Sequence, residues 1–456
     1  MTKRMPILVL LICVALTITT SAQFRKKSPN KKLGGGVDMS GEIDGAPYRL
    51  VVPGAWNGTL IVYGHGYRDK ADHPGETDNR TADIAPDPAL EPVLLGMGYA
   101  LAGSAYKDNG WAVAEGYVDS LNLVSFFEAN VTTPNRILFW GFSVGSVIGF
   151  KNAETTSVYD GILCGCAVGA GASSSWDGAG DLLVAYDVVF GNLASWGTGG
   201  DVRDDIDFET EVFPKIAVEL NNAANFPAFE FMRLVAGTPG RGINPPPPPD
   251  FYPSWVVTDM FFTTEARSEL ERRAGGPVTQ NLDRDYDLTA QERAYLTGLG
   301  VPGAQIDAWL LAMNNQRVFS APQPARDYLK ANRDYTGNIR VPVLTLHTII
   351  DPLVTVTQQY SYAQTIARAG RPNGFITGRN TPGGILRPNP VFRRSDMVYQ
   401  TYTDANGHCN FTGEQLITAI TTLDNWVATK VRPTSANFPE VLGFNNSFAP
   451  PPPNQP

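Results

Sequence analysis

The sequence predicts an α/β fold in which a mostly parallel sheet is covered by helices on both faces. Short runs that are apolar at every residue recur along the chain, as at 59–63 and 136–141, and longer segments with a helical pattern, such as 112–129, separate them. Uninterrupted apolar strands alternating with helices are typical of parallel sheets buried on both sides. With 456 residues, 43% of them hydrophobic, the chain is long enough for one large domain with an insertion, or for two ordinary domains.

The N-terminal segment has the residue order of a secretory signal. Lys3 and Arg4 precede an apolar run at 7–18, and small residues ending in Ala22 follow it. The alternative is a membrane anchor, but the run is shorter than the roughly 20 apolar residues that cross a bilayer. We therefore expect cleavage after Ala22, a secreted or periplasmic protein, and no stable membrane insertion afterwards.

Charge and composition exclude several kinds of partner. The formal net charge is −9, and the folded part carries no dense run of Lys and Arg, so no nucleic acid is expected to bind. The chain has four histidines and no CxxC pair or other metal-ligand spacing, so neither a metal nor a cofactor is expected. A small, uncharged substrate fits this composition better.

The predicted elements divide the chain into a sheet domain and an insertion. Strands are expected at 48–52, 59–63, 99–105, 136–141 and 161–169, and the next convincing one, 341–346, follows only after about 170 residues of helical pattern with four tryptophans. That stretch is predicted to be a helical cap. A helix at 352–369, a strand at 397–403 and a helix at 414–431 complete the sheet domain. The predicted segments are a signal peptide 1–22, a flexible basic linker 23–39, core 40–170, cap 171–338, core 339–431 and an extended or disordered Pro-rich tail 432–456.

The most informative motif is Gly141-Phe142-Ser143-Val144-Gly145, which follows a predicted strand and opens a predicted helix. A serine on such a turn has strained backbone angles, and the flanking glycines let strand and helix approach each other. The turn exposes the hydroxyl at the carboxyl end of the sheet and places the Val144 amide at a helix N-terminus, where it can stabilise an oxyanion. Gly-x-Ser-x-Gly is common by chance in a chain with 45 glycines, so the context carries the prediction that Ser143 is a nucleophile.

A serine nucleophile needs a base and a carboxylate that orients it. His408 lies in a loop after the last predicted strand, where it would hang over the Ser143 turn, and Asp351 follows the strand at 341–346 by a few residues. Asp404, four residues before His408, is the alternative acid, but it belongs to the same loop as the base and would have to fold back sharply. The preferred order is therefore Ser143, Asp351, His408.

A second oxyanion donor is expected in the loop after the strand at 59–63, which continues as Gly64-His65-Gly66-Tyr67. The His-Gly pair lets the backbone turn so that the amide of Tyr67, or alternatively that of Gly66, faces the serine. His65 itself is then structural and holds the loop by side-chain hydrogen bonds.

The His-Gly loop, the GFSVG turn, the Asp after a strand and the Gly-His-Cys loop together resemble the α/β-hydrolase superfamily. The resemblance covers roughly residues 41–170 and 339–431. The segment 407–412, GHCNFT, is similar to a GHCxFT pattern of some exported bacterial esterase-like hydrolases. The resemblance implies that Ser143, Asp351 and His408 are a catalytic triad. A more distant resemblance is to tannases and feruloyl esterases, which carry a cysteine before the nucleophile where this chain has Phe142.

That comparison draws attention to the cysteines, which can pair in an oxidising compartment. Cys166 ends the predicted strand beside the serine strand, and Cys409 adjoins His408, so we expect a disulfide between them. Cys164 is the alternative partner, since it lies two residues away and hence on the same face of that strand. Three free thiols are the other alternative.

The chemistry implied is two-step acyl transfer on a small-molecule ester, and the tryptophan-rich cap favours a bulky apolar or aromatic substrate group. A serine peptidase of the same fold, aminopeptidase-like, is the nearest alternative, because Asp and Glu are plentiful in the cap and could anchor an amine. A non-catalytic binding protein on this scaffold is the third hypothesis.

Overall fold

The computed structural model describes residues 36–191, 193–237, 252–370 and 394–452. The predicted signal peptide and most of the predicted linker lie outside these residues. One eight-stranded sheet organises the chain. Its strands are β1 (Val37–Ile43), β2 (Ala46–Val52), β3 (Thr59–Gly64), β4 (Ala100–Ser104), β5 (Arg136–Phe142), β6 (Gly161–Gly165), β9 (Val343–Ile350) and β10 (Val398–Asn406), while β7 (Gly197–Thr198) and β8 (Asp201–Val202) form a separate short hairpin.

The strand order is β1-β2-β4-β3-β5-β6-β9-β10, and β2 is the one strand of this sheet that runs opposite to all the others. In the middle of the sheet Tyr63 pairs with Trp140, and Leu163 pairs with Leu344. Every residue of β3, β4 and β6 is buried, as expected for strands covered on both sides. The predicted mostly parallel sheet is confirmed, and the fold is the α/β-hydrolase fold.

Helices cover both faces because side chains alternate along each strand. The helices of the sheet domain are α1 (Leu90–Gly96), α2 (Val113–Asn130), α3 (Val144–Thr155), α12 (Thr357–Ala369) and α13 (Gly413–Thr429). On β3, Leu60 and Val62 face a core built with α2 and α3, whereas Ile61 and Tyr63 face a second core built with α1 and α13.

The chain between β6 and β9 is helical and has a core of its own. Trp196, Trp255, Phe231 and Met260 are almost fully buried in it. The helices are α4 (Ala172–Phe190), α5 (Phe213–Leu220), α6 (Phe226–Ala236), α7 (Tyr252–Thr263), α8 (Glu265–Ala274), α9 (Ala290–Gly298), α10 (Gly303–Asn315) and α11 (Gln323–Ala331), with a π-helical turn at Phe208–Val212. They fall within the segment predicted as the cap, and we use that name for α4–α11. In the part of the chain described, no helix has the length and apolarity to cross a bilayer.

The tail differs from the expectation of a free extended segment. Phe438 and Phe444 are buried against the sheet, and Phe438 stacks on Tyr399 of β10 with ring centroids 5.2 Å apart. The Asn445 amide donates to the Tyr402 carbonyl, which adds a short pairing along the sheet edge. The tail packs against the sheet despite its prolines, because burying these two aromatic side chains removes a large apolar area from water.

Candidate active site

Ser143 occupies a sharp turn between β5, which ends at Phe142, and α3, which begins at Val144. Its φ is 53° and its ψ is −120°, in a region that residues with a side chain rarely adopt. Both flanking glycines are sterically required. A Cβ on Gly145 would lie 2.1 Å from the Gly64 carbonyl oxygen, and one on Gly141 would lie 2.0 Å from the Gly145 carbonyl oxygen.

The structure brings the three predicted triad residues together. His408 Nε2 lies 2.9 Å from Ser143 Oγ, and His408 Nδ1 lies 2.9 Å and 3.1 Å from Asp351 Oδ2 and Oδ1. Asp351 is fully buried just beyond the end of β9, and its Oδ1 accepts the backbone amides of Leu353 and Val354 at 3.0 Å and 2.9 Å. The two backbone amides therefore hold the Asp351 carboxylate in place, with its oxygens facing the His408 imidazole.

The alternative acid, Asp404, lies away from this chain of hydrogen bonds. It is exposed, it accepts a hydrogen bond from Asn445 Nδ2 at 2.7 Å, and its amide donates to the Gly443 carbonyl. The contact to the His408 ring comes from Asp351 instead.

His347 lies behind the triad, a position that the sequence did not indicate. It is fully buried on β9, its Nε2 is 4.0 Å from Asp351 Oδ2, and its Nδ1 is 2.9 Å from the Thr348 carbonyl oxygen. Burial lowers the pKa of His347, so the ring is neutral. No sequence motif identifies His347, because its closeness to Asp351 depends on how the ends of neighbouring strands are arranged.

The loop after β3 approaches the serine closely. A Cβ on Gly66 would lie 3.2 Å from Ser143 Cβ, so only glycine fits there without movement. His65 is buried, stacks on Tyr106 at 4.0 Å between centroids, and has Nδ1 2.7 Å from the Gly66 carbonyl oxygen. Burial lowers the pKa of His65 to about 3, so the neutral ring donates to that carbonyl and holds the loop. Tyr67, the next residue, packs its ring against Phe262 of α7.

Cys166 and Cys409 lie side by side, with Cα atoms 5.0 Å apart, a separation that suits a disulfide. Cys164 is buried, and its Sγ lies 3.6 Å from the Ser146 carbonyl oxygen. The expectation that Cys164 and Cys166 share a strand face is wrong: Cys164 packs in the core on the α3 side and Cys166 in the core on the α13 side. The alternation stops because β6 ends at Gly165 and Cys166 has φ 41°.

A cavity of about 220 Å³ opens beside Ser143, between the carboxyl end of the sheet and the cap. Most of its wall is apolar or weakly polar, and aromatic rings come from both parts of the chain. Four charged residues also line it. The apolar and aromatic residues include Trp111, Val168, Trp176, Leu182, Phe262 and Leu353, and the charged ones are Asp181, Asp259, Arg284 and Asp285.

A second group of ionisable residues joins the loop after β3 to α8. Glu265, on the first turn of α8, is buried, and carboxylate oxygens of Asp69 and Glu76 lie within 4.8 Å of its own. His73 Nε2 is 3.8 Å from Glu265 Oε2. Burial, together with these neighbouring charges, raises the pKa of Glu265 to about 8 and that of Asp69 to about 6.

Comparison with known proteins gives a sequence relative and several structural likenesses. No protein-family model matches the chain. An o-phthalyl amidase from Xanthobacter agilis is 24% identical over 421 residues, which cover 83% of this chain and 84% of that protein. Feruloyl esterase B from Aspergillus oryzae is 12% identical with a TM-score of 0.35, covering 87% of this chain and 82% of that one. An acylaminoacyl peptidase from Pyrococcus horikoshii is 9% identical with a TM-score of 0.38, covering 88% of this chain and 42% of that one.

Proposed function

We propose that the protein is a serine hydrolase that cleaves carboxylic esters through an acyl-enzyme. The observation that carries the proposal is the continuous hydrogen-bond chain from Ser143 Oγ through the His408 ring to the buried carboxylate of Asp351. A serine hydroxyl is a weak nucleophile near neutral pH, and a base within about 3 Å, itself oriented by a carboxylate, activates it.

In the first step His408 Nε2 takes the Ser143 hydroxyl proton as Oγ bonds to the ester carbonyl carbon. The tetrahedral intermediate then expels the alcohol, which receives that proton from His408. In the second step His408 takes a proton from water, the hydroxide attacks the acyl carbon, and the acid leaves as Oγ recovers its proton. Asp351 stabilises the imidazolium in both steps without itself being protonated.

The developing oxyanion is held by two backbone amides in this proposal. The Val144 amide is at the N-terminus of α3, where it has no acceptor within the helix. The Tyr67 amide follows Gly66, whose close approach to Ser143 supports a role for this loop. Two fixed donors stabilise the negative charge that develops on the carbonyl oxygen as the tetrahedral intermediate forms.

The substrate group that enters the cavity is apolar or aromatic. A volume of about 220 Å³ with tryptophans 111 and 176 on its wall favours a small aryl group or a short acyl chain over a long one. An amide is the second candidate substrate, because the sequence relative is named an o-phthalyl amidase. The same triad serves both, since His408 can protonate a leaving amine as well as an alcohol.

We also propose export, with cleavage after Ala22 and an oxidised Cys166–Cys409 bond. The order of basic, apolar and small residues at the N-terminus supports export. The 5.0 Å Cα separation of the two cysteines suits a disulfide, and the bond would anchor the loop that carries His408. The likeness of segment 407–412 to exported esterase-like hydrolases supports the same proposal.

The test is hydrolysis of p-nitrophenyl esters from C2 to C12, with aryl and aminoacyl p-nitroanilides beside them. Ser143→Ala and His408→Ala should lose activity on every substrate, whereas Ser125→Ala, on the exposed side of α2, should keep it. A fluorophosphonate probe should label the protein but not Ser143→Ala. Full activity in Ser143→Ala would refute the proposal, and a chain that neither reacts with the probe nor hydrolyses any substrate would favour a binding protein. Preference for the aminoacyl anilides would favour a peptidase.

A further inference from the structure

We propose that Arg284 is a specificity-determining residue that binds a carboxylate of the substrate, so that preferred substrates are carboxylate-bearing aryl esters or amides. The inference deepens the proposed function, rests on it, and departs from the expectation of an uncharged substrate that the overall composition gave. Arg284 lines the same cavity as Ser143 and lies in the loop between α8 and α9 of the cap.

The terminal nitrogens of this guanidinium are available. Arg284 Nε lies 3.0 Å from Asp181 Oδ2, and in the described part of the chain no hydrogen bond or ion pair engages Nη1 or Nη2. The side chain is only 20% exposed, and it lines the cavity that holds Ser143. A guanidinium offers parallel N–H groups that match the two oxygens of a carboxylate.

The arginine is also held in place before any ligand arrives. Its amide donates to the Asn281 carbonyl at 3.1 Å, and the Tyr286 hydroxyl donates to Asp181 Oδ1 at 2.6 Å. Asn314 fixes Tyr286 through hydrogen bonds with its amide and its carbonyl. Asp181 is thus positioned by Tyr286 and in turn positions the guanidinium, which lowers the ordering cost of binding.

Two of the three carboxylates that line the cavity have an arginine beside them. Asp181 forms an ion pair with Arg284, and the Asp285 side chain is 74% exposed and lies 3.7 Å from Arg317. Asp259 is the third carboxylate of the wall, and it is buried. Arg284 is the one cation among the described residues that line the cavity, and the nearby aromatic wall lowers the local dielectric and strengthens a charge pair.

The experiment compares matched p-nitrophenyl esters of benzoic acid that carry a carboxylate or a neutral carbamoyl group at the meta or para position. A second arm places the same two groups on the alcohol side, as carboxyphenyl and carbamoylphenyl benzoates. In the wild type we expect kcat/KM to be about 10- to 100-fold higher for the carboxylate in at least one arm, the range for a charge-assisted hydrogen-bonded pair. The arm that shows it identifies which side of the scissile bond faces Arg284.

Arg284→Gln should abolish this preference, so that the ratio of kcat/KM between the carboxylate and carbamoyl esters falls to about one. Arg317→Gln is the matched control, since it removes a nearby arginine outside the cavity and should keep the preference. The inference would be overturned if the wild type hydrolysed the carbamoyl esters with a kcat/KM equal to or higher than that of the carboxylate esters in both arms. This test needs no variant. An unchanged ratio in Arg284→Gln would also overturn the inference. Hydrolysis of the carbamoyl esters that disappears in Ser143→Ala would show that the proposed function stands even then.

Discussion

Replacing Asp351 by Asn tests the orientation of the histidine without changing the shape of the site. Asp351 Oδ1 is held by two backbone amides, so the asparagine carbonyl oxygen takes that place and its NH₂ takes the place of Oδ2. That NH₂ then faces His408 Nδ1 at about 2.9 Å, where the native ring donates a proton. Two donors cannot bond, so the ring moves its proton to Nε2 and can no longer accept the one on Ser143.

The expected loss in kcat is about 10⁴-fold, the size of effect found when a triad carboxylate becomes an amide that favours the wrong tautomer. At 1.36 kcal/mol per decade this is about 5 kcal/mol of transition-state stabilisation. The assay is kcat for a p-nitrophenyl ester under saturating substrate, with the melting temperature measured alongside. Asp404→Asn is the matched control, because that carboxylate is exposed and bonds Asn445 instead, and it should stay within twofold. A kcat for Asp351→Asn within tenfold of wild type would refute the reasoning.

Three further predictions concern the surroundings of the triad. Gly66→Ala should lower kcat by about tenfold or more with little change in KM, because the new methyl group contacts Ser143 and displaces the adjacent Tyr67 amide. An unchanged kcat would exclude a role for the loop after β3 in binding the oxyanion. In peptide mapping of the denatured mature chain without reductant, Cys164 should be the one thiol that is alkylated, and alkylation of all three cysteines would contradict the disulfide. Cys409→Ser should lower the free energy of unfolding by about 2–5 kcal/mol, measured in denaturant melts. Since the pKa of Glu265 is raised from 4.5 to about 8, the folded chain binds more protons than the unfolded chain in that window, so stability should fall as pH rises from about 5 to 8. Glu265→Gln should flatten this slope in thermal melts, and the same slope in both proteins would show that other groups cause it.

The sequence predicted best what depends on neighbours in the chain. The turn around Ser143 could be predicted because its glycines answer a local steric need, and the strands could be predicted because they are apolar throughout. Asp351 and His408 follow from a rule of parallel sheets, in which the carboxyl ends of neighbouring strands meet at one edge. None of these steps needs contacts between distant segments.

What could not be predicted depends on such contacts. Arg284 is one arginine among many until Asp181, about 100 residues earlier in the chain, holds its Nε at the cavity. Phe438 and Phe444 looked like part of a free tail because prolines surround them, and only the exposed edge of β10 gives them a place to be buried. The prediction that Cys164 and Cys166 share a strand face failed for a local reason. Side chains alternate between the two faces only while the strand continues, and β6 ends at Gly165.

The pairing of β6 with β9 also has a consequence for how the chain folds. Ile162 and Val343 face each other across this pair, and the Ile162 amide donates to the Pro342 carbonyl. About 180 residues separate the two in sequence, because the whole cap is inserted between β6 and β9. Loop-closure entropy grows only with the logarithm of loop length, so a cap of this size adds little to the cost of joining them. Ser143 precedes the cap, whereas Asp351 and His408 follow it. Under the proposed mechanism, a nascent chain that ends inside the cap therefore carries Ser143 without Asp351 and His408. The three residues can meet only after β9 and then β10 have joined the sheet.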